Sequence, residues 1–295
     1  MAIDPRGLRT YLAVCREGSI SAAARQLNIS QPAVSVTIAQ LERASGGILF
    51  ERSRSGIMLT AAGIALLHRA EALEVLLRNA AEDVTLARDH VEGPLRVGGT
   101  PGALVSLVPD AINRLTRAGR TFGVHVLERS DSECQELLRR GEIEIAVVTV
   151  GIEAPPDDIQ ETKIASDPFS LIVGPANHEL PDAMLLDAAR DLRWVLPDAA
   201  GAFRRQLNAL FMAANVPLPN VVVRCDSLLT TKAIVRGGDH VTILPNDVAG
   251  AEISIGVLRA IRLIDAPITR SIGVRTLAGI PLSRLARAAI EAMRK

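Results

Sequence analysis

The sequence predicts an α/β protein with a mainly helical amino-terminal domain, a long linker helix and a two-lobed α/β domain. Three observations support this prediction: short helices rich in small residues, then an apolar repeat in steps of three and four residues, then alternating strands and helices. The chain has 295 residues, more than one compact core usually organises. We therefore expect domains at 1–60, 61–93 and 94–295.

Composition narrows the class of protein. Hydrophobic residues make up 48% of the chain and charged residues 22%, which is typical of globular proteins and excludes disordered or collagen-like chains. The formal net charge is zero, which argues against a protein that coats nucleic acid over its whole surface. Residues 1–60 nevertheless hold seven arginines against four acidic residues, so a local patch facing DNA is compatible with the charge distribution.

The start of the chain and the cysteines indicate the compartment. Residues 1–6 lack the features of a secretory signal, and no apolar stretch is long enough to span a bilayer. The cysteines are odd in number and far apart, which fits reduced thiols in a cytosolic protein and leaves a redox switch as an alternative. They are Cys15, Cys134 and Cys225. We expect a cytoplasmic protein without membrane contact.

The first 45 residues predict three short helices. Apolar residues recur at helical spacing from Leu8, and Gly18 ends the first helix. Ser19 or Ser21 can cap a second helix, whose alanines allow close approach by its neighbour. Pro32 suits the first turn of a third helix. The apolar face of that helix consists of Val34, Ile38 and Leu41. Such a pair of crossing helices is a helix-turn-helix, whose second helix can enter a DNA major groove.

Residues 49–60 predict two short strands around a basic turn, which is a wing beside the helix-turn-helix. Arg52 and Arg54 flank the turn, where guanidinium groups can enter a minor groove or hold phosphates. A solvated Arg-Ser-Arg loop is the alternative for an isolated turn. The neighbouring helix-turn-helix favours DNA contact.

The third helix carries the candidate base contacts. Gln31 can present its amide to adenine, and the methyl groups of Ala33 and Thr37 can meet thymine methyls. Ser35 can bind phosphate or face a neighbouring helix, and Pro32 can serve helix initiation alone. The candidate DNA-binding residues are Ser21, Gln31, Pro32, Ala33, Ser35, Val36, Thr37, Arg52 and Arg54.

A dimerising helix is predicted from Gly63 onwards, because small or apolar residues alternate in three- and four-residue steps. Their positions are 63, 66, 70, 73, 77, 80, 84, 87 and 91. About 30 residues at roughly 1.5 Å each make a rod of about 45 Å, enough to hold two DNA-binding units apart. Gly93 and Pro94 terminate the helix.

After the linker, alternating strands and helices predict parallel βαβ units in two lobes. We assign 94–163 and 268–295 to the first lobe and 164–267 to the second, with crossings near 160–168 and 264–270. A cleft between such lobes, rimmed by strand ends and helix N-termini, is a favoured small-molecule site.

Several segments together resemble the signature of LysR-type transcriptional regulators. They are 18–24, 27–35, Ile38, 41–42, 49–52 and 59–63, and Leu138–Ala146 is similar to the family's sensor domain. This sequence departs from many relatives at Val36, where a basic residue is common, and at 44–46. The resemblance implies a winged helix-turn-helix dimer, often a tetramer, with a sensor domain of periplasmic-binding-protein type. Promoter DNA, a small-molecule effector and RNA polymerase are its candidate partners.

The resemblance also places effector contacts at strand ends of the sensor domain. The candidate effector-binding residues are Thr100, Pro101, Ser130, Thr149, Asp198, Ala199 and Ser227. Residues 98–102 follow a predicted strand and open a helix, so their N–H groups and the Thr100 hydroxyl could receive an anionic effector. A plain structural turn is the alternative. The sequence does not identify the effector.

Two other classes compete with a regulator: a free-standing solute-binding module and an enzyme working in the interlobe cleft. Residues 1–93 distinguish these classes. A solute-binding module needs a secretory signal there, and an enzyme has no use for a winged helix-turn-helix on a dimerising helix. The five histidines lack metal-ligand spacing, and no Ser, His and acid set announces a triad. We expect no metal, no cofactor and no catalysis.

Overall fold

A computed structural model describes residues 3–53, 56–198, 201–220 and 222–294. The chain divides into two compact units, the first formed mainly by the segment up to Asp89 and the second beginning at His90. Each unit has its own hydrophobic core. Among the described helices, none combines the length and the apolarity needed to cross a bilayer.

The first unit opens with three helices that begin and end at clear local signals. They are α1 (Pro5–Glu17), α2 (Ile20–Leu27) and α3 (Gln31–Ser45). Each helix begins after a residue whose side chain accepts a backbone N–H, and these residues are Asp4, Ser19 and Ser30. Each ends at a residue in the left-handed region, and these residues are Gly18, Asn28 and Gly46.

A hairpin and a long helix complete the first unit. Strands β1 (Phe50–Ser53) and β2 (Gly56–Leu59) pair antiparallel, and α4 (Ala61–Arg88) follows directly. The tip of the predicted wing, residues 54–55, lies outside the described residues.

Tyr11 is the centre of the core of the first unit. Its side chain is fully buried, its hydroxyl donates to the carbonyl of Gly63 at 2.7 Å, and its ring lies 5.1 Å from that of Phe50. The small residues Ala23 and Ala24 are buried where α2 meets its neighbours. One phenol therefore joins the helix-turn-helix, the hairpin and α4.

The start of α4 is fixed against the chain that precedes β1. The amide of Thr60 donates to the carbonyl of Leu49 at 3.1 Å, and its hydroxyl donates to that of Ile48 at 2.7 Å. A methyl group on Gly63 would overlap the carbonyl oxygen of Leu49. Only glycine lets α4 pass this close to the backbone.

The apolar stripe of α4 has a buried first half and an exposed second half. Leu66, Ala70 and Leu73 pack into the core of the same unit, whereas Leu77 and Val84 are 43% and 56% exposed. The repeat predicts one continuous dimerising stripe, but its first half packs against the helix-turn-helix of the same chain. The helix also ends at Arg88, earlier than expected, and at 28 residues it is about 42 Å long.

The second unit alternates strands and helices. In chain order its elements are β3 (Glu92–Gly99), α5 (Pro101–Arg117), β4 (Phe122–Glu128), α6 (Asp131–Arg139), β5 (Ile145–Thr149), β6 (Ile159–Val173), β7 (Ala183–Met184), β8 (Arg193–Leu196), α7 (Ala202–Ala213), β9 (Val222–Arg224), α8 (Leu228–Gly237), β10 (His240–Pro245), α9 (Gly250–Ser254), β11 (Arg259–Leu263), β12 (Thr269–Leu277) and α10 (Arg284–Met293).

Two lobes share one strand. The first sheet has the order β4-β3-β5-β12-β6, and the second continues through β6-β10-β8-β9, with β11 and β7 on the other side of β6. β3 runs parallel to β4 and β5, and β8 runs parallel to β9 and β10, as the βαβ pattern predicted. The two-lobed α/β fold class is confirmed.

The crossing between the lobes differs from the expected connection. Residues 160–168 lie in β6, where they pair antiparallel with β12, and residues 169–173 of the same strand pair with β10 and β11. Only the second crossing begins as a loop, between β11 and β12. A strand through the crossing gives most of its backbone groups a ladder partner, apart from an irregularity opposite Ile272 and Gly273, which an open linker would not.

We predict that Gly63→Ala lowers the free energy of unfolding of the first unit by about 1–3 kcal/mol, since the added methyl has no space beside Leu49. Gly7→Ala is the matched control: its methyl would meet its nearest neighbours at 3.8 and 3.9 Å, an ordinary contact. Because Tyr11 is the one tyrosine of the chain, the NMR signal of a selectively labelled tyrosine ring during urea unfolding follows this unit. Equal destabilisation by both substitutions would contradict the crowding argument.

Candidate functional site

The amino-terminal half of α3 forms the exposed face of the helix-turn-helix. Val34, Ile38 and Leu41 are buried, as predicted for the core face. The exposed residues of its first turns are Gln31, Pro32, Ala33, Ser35 and Val36. With Ser21 they make up what we call the reading surface.

A side-chain contact joins α2 and α3 across this surface. The Ser21 hydroxyl donates to the amide oxygen of Gln31 at 3.3 Å, and both residues are exposed. The contact orients the Gln31 side chain from the neighbouring helix. Two predicted contact residues, ten positions apart in sequence, therefore lie together.

Thr37 differs from the others in its surroundings. It is half-buried, its hydroxyl donates to the carbonyl of Ala33 at 2.9 Å, and its methyl carbon faces Gly7 of α1. This arrangement gives Thr37 a packing role between α3 and α1. Of the predicted wing residues, Arg52 lies on β1 opposite Ile57, and Arg54 lies outside the described residues.

A cleft of about 240 Å³ opens in the second unit. Four of the predicted effector residues line it: Thr100, Pro101, Ser130 and Thr149. The two lobes contribute to its wall, with Phe203, Leu244 and Val248 supplying apolar surface. Its volume lies below the range of about 300–1,000 Å³ usual for drug-sized ligands, so the cleft suits a smaller molecule.

The structure does not bring two of the predicted residues to this cleft, and a third, Ala199, lies outside the described residues. Ser227 caps α8, accepting from the amide of Thr230 at 3.3 Å. The amide of Asp198 donates to the carboxylate of Asp226 at 2.7 Å, and it is Asp226 that lines the cleft. Ser227 and Asp198 follow strands, which is why they were predicted to bind a ligand. In the structure Ser227 caps a helix, and Asp198 donates its amide to Asp226.

Several helices point their N-termini at the cleft. The first residues of α5, α7 and α8 line it, which places the positive ends of three helix dipoles along its wall. Thr100 and Gly201, which precede α5 and α7, make no side-chain cap hydrogen bond. At α6, by contrast, the hydroxyl and amide of Ser130 donate to Glu133 at 2.6 and 2.8 Å, which lowers the pKa of the Glu133 carboxyl.

A buried ion pair lies beside the cleft, where β12 pairs with β6, the strand that the two lobes share. Arg270 of β12 lies directly opposite Asp167 of β6, and its Nη2 donates to Asp167 Oδ2 at 3.1 Å and to Ser106 Oγ at 2.9 Å. The other carboxylate oxygen of Asp167 accepts from the amide of Asp247 at 3.1 Å. Burial raises the pKa of the Asp167 carboxyl and lowers that of the Arg270 guanidinium, so each charge depends on these partners.

Sequence reasoning missed all four of the charged residues that line the cleft in the described part of the chain. They are Asp131, Arg204, Asp226 and Arg270. Asp131 accepts from the guanidinium of Arg275 at 2.8 and 2.9 Å, and the Arg204 guanidinium donates to the carbonyl of Pro197. Their partners lie in other elements, so no local motif marks them. Within the described ranges, no cluster of three or more His, Cys, Asp and Glu residues is placed to hold a metal ion.

Family comparisons agree with this architecture. Residues 5–64 match the bacterial regulatory helix-turn-helix protein, lysR family, and residues 88–295 match the LysR substrate binding domain. The chain belongs to the family of LysR-type transcriptional regulators, and it is a regulator of transcription, not an enzyme.

Similar proteins extend over most of the chain. The HTH-type transcriptional regulator PcaQ of Agrobacterium fabrum is 26% identical over 293 residues, covering 97% of this chain and 94% of PcaQ. A probable hydrogen peroxide-inducible genes activator of Mycobacterium leprae is 30% identical over 252 residues, 83% of this chain and 79% of that protein.

Solved structures share the fold. Full-length CbnR complexed with its target DNA aligns with a TM-score of 0.69 at 22% identity, over 98% of both chains. LysG of Corynebacterium glutamicum with bound effector Arg aligns with a TM-score of 0.63 at 22% identity, over 98% of both chains.

The buried pair gives a prediction about stability. Asp167→Asn should lower the free energy of unfolding by about 3–5 kcal/mol, because it leaves the Arg270 charge buried without its counter-ion. Asp182→Asn is the matched control, since Asp182 also pairs with an arginine, at 2.9 Å, but its side chain is 96% exposed against 1% for Asp167. Its loss should stay below about 1 kcal/mol.

Urea unfolding followed by the fluorescence of Trp194, the one tryptophan and a core residue of the second lobe, measures both losses. Comparable losses in the two variants would mean that burial does not increase the contribution of the ion pair to the free energy of unfolding.

Proposed function

We propose that this chain is a sequence-specific promoter-binding regulator whose reading surface contacts base edges in the major groove. A small molecule in the cleft modulates its promoter binding or activation. The observation that carries the proposal is the exposed first turn of α3, where Ser21 and Gln31 meet above a well-packed core. A helix-turn-helix reads DNA with this part of its second helix.

The chemistry of the reading surface suits direct readout. The Gln31 amide can pair with adenine, and the exposed Ala33 and Val36 side chains can contact thymine methyls. Ser35 can donate to a phosphate, which positions the helix without reading sequence. Val36 stands where relatives commonly carry a basic residue, so we infer a site with more apolar base contacts than theirs.

The exposed part of α4 supports self-association. Leu66, Ala70 and Leu73 of α4 pack into the core of the unit, whereas Ile64 and Leu76 are exposed. Leu77 and Val84 are also exposed, and they lie on one face of the helix. We infer that the same face of a second copy covers them, giving a dimer and, through further contacts, a tetramer. The regulator acts in the cytoplasm, where promoter DNA and RNA polymerase are its partners.

The cleft supports the sensing role. Residues from both lobes line it, so a ligand that contacts both changes the free energy of one lobe orientation relative to another. We infer that α4 passes this change to the paired DNA-binding units. Genomic mapping of bound sites, followed by footprinting with metabolites of the neighbouring genes, tests the whole proposal. A footprint and transcription level unaffected by every cleft-binding metabolite would contradict it.

Gln31→Ala should relax the base preference at one position of each half-site by about 1–3 kcal/mol, because a bidentate amide contact is lost. Gln40→Ala is the matched control: Gln40 is exposed on the same helix, nine residues on, about half a turn from Gln31 around the axis. Affinities for single-base variants of a selected operator measure both. An unchanged base preference in Gln31→Ala would show that Gln31 makes no specific base contact.

Val84→Glu should shift the protein toward monomer at micromolar concentration, since a carboxylate would be buried in the apolar contact between copies. Thr85→Glu places the same charge on the adjacent exposed residue, whose hydroxyl bonds within its own helix at 3.0 Å, and should leave the association state unchanged. Sedimentation equilibrium distinguishes them. Identical masses for Val84→Glu and the unmodified chain would place the interface elsewhere.

A further inference from the structure

A side chain of α3 holds the segment that leads into the hairpin. Residues 46–49 connect the end of α3 to β1. The carbonyl of Glu42 accepts the amide of Gly47 at 3.2 Å, and the Glu42 side chain reaches further, where its Oε1 accepts the amide of Leu49 at 2.9 Å. Glu42 therefore holds this connection at two points.

The amide of Leu49 depends on this carboxylate. Strand pairing in the hairpin begins with Phe50 opposite Leu59, so the amide of the preceding residue receives no partner from the ladder. The Leu49 side chain is 1% exposed, and the hydrogen bond to Glu42 is partly shielded from water. An amide left there without an acceptor would cost free energy, so Glu42 fixes where the hairpin begins.

The carbonyl of Leu49 contacts the start of α4. It accepts the amide of Thr60 at 3.1 Å, and a methyl group on Gly63 would come within 2.3 Å of its oxygen. The backbone of Leu49 is thus bound by α3 through its amide and by the start of α4 through its carbonyl. Its position sets the hairpin relative to both helices, so a shorter side chain at Glu42 would move the hairpin relative to α3.

We propose that Glu42 is a positioning residue for DNA binding. It fixes the hairpin at a set distance from the reading surface, so that α3 and the wing contact neighbouring grooves of one duplex at the same time. Contact groups must be placed to within about 0.5 Å to act together, and a connection bound at two points provides this. Glu42 acts through the backbone of Leu49 and does not itself touch DNA. The proposal rests on the proposed function, since it presupposes that α3 reads base edges.

The test separates the reach of the Glu42 side chain from its charge. Glu42→Gln removes the charge and keeps an acceptor oxygen at the same distance. Glu42→Asp keeps the charge and leaves the oxygen short of Leu49 by about one bond length, ~1.5 Å. Glu51→Asp is the matched control, because it shortens an exposed glutamate on β1 of the hairpin itself. The full-length variants and the unmodified protein are titrated against a selected operator and its single-base variants.

Glu42→Asp should weaken binding to every sequence by about tenfold, the order of one hydrogen bond to a charged group. The slope of log affinity against log salt concentration should fall by about one in magnitude, as for one lost phosphate contact. Protection beside each half-site in a hydroxyl-radical footprint should be lost. Preferences among single-base variants, which α3 reads, should change by less than about twofold. Glu42→Gln and Glu51→Asp should match the unmodified protein within about twofold.

Base preference distinguishes positioning from a general defect, since a damaged first unit loses affinity and preference together. Such a combined loss in Glu42→Asp would overturn the proposal, and so would unchanged affinity in that variant. An equal loss of affinity in Glu42→Gln or in Glu51→Asp would also overturn it, because charge or the hairpin alone would then explain the effect. Each of these results leaves the proposed function standing. An unmodified protein without any sequence preference would instead contradict the proposed function, and this inference with it.

Discussion

The second unit depends on the buried pair of Asp167 and Arg270. β6 belongs to both sheets, and Asp167 lies on it opposite Arg270 of β12, at the point where the chain passes between lobes. Ser106 extends the pair into α5 of the first lobe, and the amide of Asp247 extends it into the segment after β10 of the second. Buried charges need complementary geometry to offset their desolvation, so the pair favours one arrangement of the two adjacent strands.

Elements whose signals are local could be predicted from the sequence. Gly18 and Ser19 end one helix and start the next through their own backbone conformation and hydroxyl, without help from distant residues. β11 was not predicted, because its residues from Arg259 to Leu263 do not alternate strictly between polar and apolar types. The strand character of 160–168 could not be predicted in the same way. It depends on pairing with β12, whose residue opposite Asp167 is 103 positions along the chain.

The candidate sites show the same limit. Thr100, Pro101, Ser130 and Thr149 follow strands of the first lobe, and the carboxyl ends of parallel strands meet at one edge, so their place at the cleft was predictable. Ser227 follows a strand too, but the start of α8 uses its hydroxyl as a cap. Arg270 gives no signal at all, since a single arginine in a strand is usually a solvated residue. Its hydrogen-bond partners lie on two other elements, α5 and β6.

The linker helix shows why a repeat in sequence does not identify what covers it. Gly63 fixes the position and rotation of α4 against Leu49, and the stripe from Leu66 to Leu73 then faces the core of its own unit. Because a helix keeps its phase, the same stripe emerges at Leu77 on a continuous face. The sequence pattern is therefore continuous, although the first half of the stripe is covered by the core of its own unit and the second half is not. The Gly63 contact therefore also sets the orientation of a second copy that packs on the exposed half of α4. Through that orientation, one close backbone approach fixes where both reading surfaces lie.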